Sequence, residues 1–410
     1  MTAHLPKRRT QRRGLRLWPV GPVLALTFAV AVLVSVAVFY TGWDLLDARG
    51  LKPEPHIDST TLFDLVKLSF GVVAGAGALV ALVVAYRRQR VDEDGALREA
   101  TRLHTERFTT AVAQLGDVSA AVRLGGVHAL AGLADDAPTR GLRQTCIDVL
   151  CAYLRLPYTA EADLPADDDE ARHAYLSMRQ VRHTVIRLIS DHLRLAPIDP
   201  HSWQGHDFDL TEVTFDGGDF SAVEFSGSKV TFAGARFSAG TVTFYAARFS
   251  GGTVDFSRAR FSGGRVTFTG AEFSGGTVEF AGVQFSDGIV TFARSHFVGG
   301  TVDFADAQFY GSIVNFSHTP FSGSRVTFTD VEFSGGTVEF AGARFSDGMV
   351  SFARSQFSDG TVTFSDAWFP GGTVDFTGAD GVPPMGLVPP SGSLFPTGLT
   401  LPSAWCSTPS

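Results

Sequence analysis

Three cysteines in 410 residues, Cys146, Cys151 and Cys406, are too few and odd in number for a disulfide framework. Cys146 and Cys151 are not spaced Cys-x-x-Cys, and no histidine pair accompanies them as a zinc site requires. They fall in an amphipathic helical stretch and are expected as buried thiols. The chain also lacks the short motifs that announce catalysis: Gly-x-Ser-x-Gly, a phosphate loop, Gly-x-Gly-x-x-Gly and His-Glu-x-x-His are all missing. Its many Ser-Gly-Gly triplets are not phosphate cradles, because no Lys-Ser/Thr follows them. The histidines are scattered: His183 and His192 are nine apart, and His296 and His318 fall on outward positions of a repeat. Each is expected to be satisfied or solvent-facing. No enzyme, cofactor or metal site is expected.

Charge is missing from two long runs. Residues 18–40 carry none, and at about 1.5 Å per residue they span a bilayer as a helix. A cleaved signal peptide is the alternative, but the run is too long for a typical apolar core and shows no clear small-x-small cleavage site. A second apolar stretch, 68–86, ends at Arg87, Arg88 and Arg90. Its Gly71, Gly75 and Gly77 make a small-residue face on which the first helix or a second copy could pack. Six basic residues lie in segment 1–17 and three arginines follow the second stretch, whereas loop 41–67 holds Arg49, Lys52 and Lys67, of which the first two lie clear of the second apolar run. The positive-inside rule places both termini in the cytoplasm of a multi-pass plasma-membrane protein.

Residues 87–200 read as a cytoplasmic helical region. Segment 96–115 extends the second apolar stretch as a stalk. Segment 120–134, with Val122, Ala129, Leu130 and Leu133, resembles one half of a HEAT-type helical hairpin. The next helix carries Leu142, Cys146, Ile147, Leu150, Cys151 and Leu154 at helical spacing. A break at 157–169 contains Asp167, Asp168 and Asp169, expected as a solvated loop with cation binding as the alternative. Helix 172–193 then turns Val181, Val185, Ile186, Ile189 and Leu193 inward. Pro197, Pro200 and Trp203 mark the start of the next domain, with Trp203 as its end cap.

Over 203–378 phenylalanine recurs on a fixed beat, alternately seven and five residues apart: Phe225, Phe232, Phe237, Phe244, Phe249 and on to Phe376. A period repeated this often is the signature of a solenoid. Two before each Phe stands Val or Ala, as at Val254 and Ala259. Residues two apart on a strand share a face, so these pairs point inward and the residue between them points out. The Gly-rich pieces at 251–252, 263–264 and 275–276 read as corners. A coil of one twelve-residue unit is too flat to hold its Phe residues, so two units per coil are expected, with a period of about 24. The outward series Asp255, Thr267, Glu279, Thr291, Asp303, Asn315 alternates acid and neutral accordingly, then slips at Thr327, Glu339 and Ser351. Segments 265–297 and 325–357 match almost residue for residue, an internal duplication shifted by 60.

Ala235-Arg236-Phe237, Ala247-Arg248-Phe249, Ala259-Arg260-Phe261, Ala271-Glu272-Phe273 and Ala307-Gln308-Phe309 give this stretch its resemblance to the pentapeptide-repeat family. It departs from that pattern in carrying two extra residues, and Val for Ala, in every other unit. The resemblance implies a mainly β fold: a right-handed four-sided β-helix, here preceded by two transmembrane helices and an α-helical region. With its membrane helices the chain resembles membrane-tethered bacterial members of that family.

From 205 to 380 the chain has 20 acidic and 10 basic side chains, a balance of −10. The expected role is a membrane-anchored, non-enzymatic scaffold that offers this rod to a protein partner. Asp255, Glu279 and Asp303 are the candidate contact surface. Some pentapeptide-repeat proteins resemble DNA in shape and charge and bind gyrase, so a DNA mimic is the alternative. Arg236, Arg248, Arg258, Arg260 and Arg265 interrupt the acid, and net acidity argues against direct nucleic-acid binding. An enzyme within 91–200 would require a pocket with converging polar groups. The tail, 379–410, is rich in proline and is expected to be disordered or draped over the last coil.

Overall fold

The computed structural model describes residues 20–45, 58–165, 167–227, 229–388 and 396–406. The basic N-terminus, the start of the first apolar run, most of the polar loop between the two runs and two pieces of the tail lie outside the described residues. The chain divides into two compact units, Met1–Ala100 and Thr101–Ser410.

In the first unit, α1 (Val20–Leu45) is a helix of 26 residues whose Leu26, Phe28, Leu33 and Phe39 are exposed. Helix α2 (Ser59–Leu115) contains an apolar stretch long enough to cross a membrane, none of it buried. It is the one such helix among the described residues. Both helices overrun the expected polar loop at 41–67. Asp58 explains the early start of α2: its carboxylate accepts the Ser59 N–H at 2.7 Å and the Thr60 hydroxyl at 2.8 Å, so residues 59–67 join the helix. The expected stalk is part of the same unbroken helix.

The second unit opens with α3 (Ala120–Asp135), α4 (Arg140–Leu154) and α5 (Asp169–Arg194). Their apolar stripes meet: Leu130, Ile147, Leu150, Val181, Val185 and Ile189 are all buried, as are Cys146 and Cys151. The acidic run is a helix start rather than a loop. Asp168 accepts the Ala171 N–H at 2.9 Å, and Asp169 begins α5.

From Phe208 the chain winds as a β-solenoid of about eight turns, its strands paired in parallel in sheets of 13 and 11. Register fixes the coil. Val230 pairs with Val254, Val254 with Val278 and Val278 with Val302, a step of 24 residues. Four Phe columns fill the interior. Representative stacks are Phe232–Phe256 at 4.6 Å, Phe237–Phe261 at 4.7 Å, Phe244–Phe268 at 4.7 Å and Phe249–Phe273 at 4.8 Å. Two columns also meet edge to face, as in Phe256–Phe268 at 5.8 Å and 84°, the geometry the ring quadrupole favours. The Val or Ala two before each Phe is buried beside it. Where Ser or Thr takes that place the hydroxyl is satisfied: Ser295, Thr319 and Ser355 donate to the carbonyls of Phe268, Phe292 and Phe328 at 2.6–2.9 Å.

The corner glycines are demanded twice over. Gly288 has φ +80°, and a Cβ there would stand 2.5 Å from the Gly264 carbonyl oxygen of the coil below. The 24-residue step also resolves the slip in the outward series. Thr231, Asp255, Glu279, Asp303, Thr327, Ser351 and Asp375 are one column; Thr243, Thr267, Thr291, Asn315, Glu339 and Thr363 are another.

Each end departs from the expected regularity. The first coil is two residues short, with Phe215 paired to Phe237, because its corner at 216–219 lacks the two extra residues. Helix α5 occupies the space: a Cβ on Gly217 would lie 3.1 Å from His183 and one on Gly218 3.2 Å from Ile186. At the other end, of the two expectations for the tail, disordered or draped over the last coil, part of it takes the second. Leu399–Thr400 pairs with Thr373–Asp375, and Trp405 is buried against Phe357 and Phe376 at 5.5 and 5.7 Å. An open coil would leave those rings in water, and the tail covers them.

Candidate interaction surfaces

The position preceding every second Phe has a local task. Asp255 Oδ1 accepts the Ser257 N–H at 2.8 Å, and Asp303 Oδ1 accepts the Ala305 N–H at 2.9 Å. Thr231, Thr291, Asn315, Ser351 and Asp375 make the same bond two residues ahead. The short oxygen-bearing side chains of these two columns close the turns. Register brings Asp255, Glu279 and Asp303 side by side, as their spacing requires. Two of them are therefore also structural. Glu279, one methylene longer, makes no side-chain hydrogen bond to a described residue. Partial burial, then the flanking Asp255 and Asp303, push its carboxyl above the usual glutamate range, against the pull of Lys229.

Two carboxylates that the sequence does not single out tie the helices to the solenoid. Asp135, at the end of α3, accepts the Trp203 indole N–H at 3.0 Å and bonds His192 Nε2 at 3.1 Å. His192 Nδ1 lies 2.6 Å from the Leu188 carbonyl, so both ring nitrogens face acceptors. Burial opposes a charge on His192, but these bonds outweigh it and raise the imidazole above its ordinary value. Trp203 is wholly buried and caps the first coil from this network.

Asp216, in the shortened corner, is the second node. Its Oδ2 accepts the Tyr158 and Tyr175 hydroxyls at 2.6 and 2.8 Å and Arg179 Nε at 3.2 Å, while Oδ1 lies 3.0 Å from His183 Nε2. Burial alone would raise this carboxyl. The donors, His183 first, hold it far below the usual range. The partners are 33 to 58 residues away in sequence, which is why no local motif points to them. His183 and His192 are thus satisfied, as expected, though by specific carboxylates.

Compared with known proteins, the chain matches no family model, no curated protein and no solved structure. Function therefore has to be argued from the chemistry of this chain. A cleft of about 460 Å³ lies over the Asp216 corner, lined by Arg179, His183, Arg187, Arg194, Asp216 and Asp219. Its charges are matched internally: Arg179 with Asp216, Arg187 with Asp191, and Arg194 with Asp191 and Asp219. It holds a polar seam together. Burial pushes the Cys146 thiol up to about 11 and the Cys151 thiol up to about 12, so these two stay protonated at neutral pH. Among the described residues, no group of three or more His, Cys, Asp or Glu side chains is arranged to hold a metal ion.

Proposed function

We propose that the chain is a membrane-anchored, non-enzymatic scaffold. Its solenoid, a right-handed, four-sided β-helix of pentapeptide-repeat type, presents a regular surface to a protein partner at the cytoplasmic face of the plasma membrane. The observation that carries this reading is the solenoid itself. The coils turn the repeating Phe, and the residue two before it, to the interior and leave outward columns in register at strand spacing, about 4.8 Å per coil. Such a surface suits an extended partner.

Anchoring rests on the apolar stretch of α2, with α1 as the second span. The distribution of Lys and Arg puts both termini in the cytoplasm. Gly71, Gly75 and Gly77, with nothing within 4 Å of a would-be Cβ, leave room for a second copy in the membrane. The proposed contact surface is the ladder Asp255, Glu279 and Asp303. No cofactor and no direct nucleic-acid contact belongs to this reading. The side-by-side carboxylates of Asp255, Glu279 and Asp303 favour one alternative, an acidic rod that mimics DNA and occupies a DNA-handling protein such as gyrase.

The test is co-purification of the full chain from native membranes beside the variant D255N/E279Q/D303N. Asn retains the oxygen that closes each turn, so the variant removes charge and keeps the fold. A partner held by the natural chain and lost by the variant supports the scaffold, and recovery of gyrase supports the mimic. A partner held equally by both removes the ladder from the account.

A further inference from the structure

A second cleft at the junction of helices and solenoid contrasts with the neutral seam around Asp216. It encloses about 450 Å³ between the stretch 155–158 and the first coils. Arg155, Arg236, Arg258 and Arg260 line it, with Glu212 as the acid on its wall. Arg155 is paired with Asp209. Arg236, Arg258 and Arg260 are exposed, and none forms an ion pair or side-chain hydrogen bond with a described residue.

The placement of these three is specific. Arg236 and Arg260 are register partners on adjacent strands, about 4.8 Å apart along the ladder. Like charges directly opposed on a sheet repel, so the pair gains most from an anion shared between them. Arg258 sits in a left-handed turn at φ +57°, a conformation unfavourable for a side chain, between Gly234 and Gly282 of the neighbouring coils. Gly282 leaves room for the Arg258 chain on one side, while on the other the Glu212 chain reaches over Gly234, 3.3 Å from where a Cβ there would stand. Further along the Arg236–Arg260 column the charge disappears: Gln284 and Gln308 follow, hydrogen-bonded to each other at 3.1 Å, and then Glu332. The positive cluster is confined to the cleft in a solenoid that is acidic as a whole.

We propose that this cleft binds a ligand carrying two or more phosphate groups, of about nucleotide size. Guanidinium groups match phosphate oxygens in pairs, and three unpaired ones lining one cleft call for a multivalent anion. The volume falls in the range of small-molecule sites, roughly 300–1,000 Å³. Exposed Leu156 and Pro157 add an apolar lip for the organic part. A nucleotide and a phosphorylated lipid headgroup share this chemistry.

The experiment is calorimetric titration of the detergent-solubilised full chain with tripolyphosphate, ATP and inositol 1,4,5-trisphosphate at low and physiological salt. At least one probe binds, and R236Q/R258G/R260Q weakens it about tenfold or more, as does R260E alone to a lesser degree. R294Q/R344Q, which removes two exposed arginines elsewhere on the solenoid, leaves binding unchanged. Preference for ATP assigns a nucleotide, preference for the inositol phosphate a headgroup, and equal binding of all three the phosphates alone. Absence of binding by every probe overturns the proposal. So does an equal loss in R294Q/R344Q, or full retention in the triple variant when its circular dichroism matches that of the natural chain.

Discussion

His192 lies flat against Trp203, ring centroids 4.1 Å apart and planes 15° from parallel, and both side chains bond the one carboxylate of Asp135. The stack joins the last turn of α5 to the cap of the first coil. Its stability is linked to pH. Because the folded-state pKa of His192 is raised, its contribution is complete below the unfolded value near 6.5 and is lost as pH rises through the folded value. Thermal unfolding followed from pH 6 to 9 is expected to show this decline, at most about 1.4 kcal/mol per pH unit for one proton. H192Q flattens it. A natural chain whose stability rises across that window would contradict the assignment.

Asp216 carries the opposite sign. Its folded-state pKa is lowered, so its contribution is present above the unfolded value of about 3.8 and is lost only as pH falls well below it. D216N turns an amide toward donors that expect a carboxylate and is expected to cost about 3–5 kcal/mol. Denaturant unfolding at neutral pH measures the loss. The variant also loses the acid resistance of the helix–solenoid junction, read by the Trp203 fluorescence on acid titration.

Glycines in the solenoid separate into two kinds. Gly288→Ala must accommodate a Cβ 2.5 Å from a backbone oxygen as well as a φ of +80°. Gly270→Ala meets nothing within 4 Å and bears only the conformational cost at φ +66°, about 1–2 kcal/mol. Matched melting curves should rank G288A clearly below G270A; equal losses would mean that coils are not stacked at this spacing.

Phe280 is fully buried, stacked on Phe256 at 4.8 Å and Phe304 at 4.6 Å and edge-on to Phe268 and Phe292. Phe280→Ala is expected to cost about 3–5 kcal/mol. In a solenoid each coil touches only its neighbours, so the loss should fall on the central coils. Hydrogen exchange would then show lost protection around residues 256–304 and retained protection around Trp203. Uniform loss along the chain would indicate a single cooperative unit instead.

The repeat was legible because strand alternation is local: Val254 and Phe256 declare their face within three residues. The coil length was legible because Asp255, Glu279 and Asp303 mark every second unit. What sequence could not carry were contacts between distant segments. Asp216 looks like one more loop acid until the tyrosines of 158 and 175 converge on it, and Gly217 looks like an ordinary corner until α5 is placed against it. Trp405 gave no signal as a cap because its partners, Phe357 and Phe376, belong to the pattern it interrupts. The duplication was visible, but its meaning changes with the 24-residue coil. A shift of 60 is two and a half coils, so Arg265 and its counterpart Arg325 stand on different sheets. In the ladder, Asp255 and Asp303 look like plain surface charges, and their second role appears only with the turn N–H groups in view.

In the proposed scaffold, the ladder face meets a protein partner while the protein sits in the membrane. The most direct measurement places a photo-crosslinking amino acid at Thr277, in the strand that carries Glu279, and separately at Thr337, its counterpart beside Glu339 on the other sheet. Irradiation of intact cells is predicted to give one discrete adduct from position 277, lost in the D255N/E279Q/D303N background, and none from 337. No adduct from 277, or the same adducts from both positions, would contradict the account.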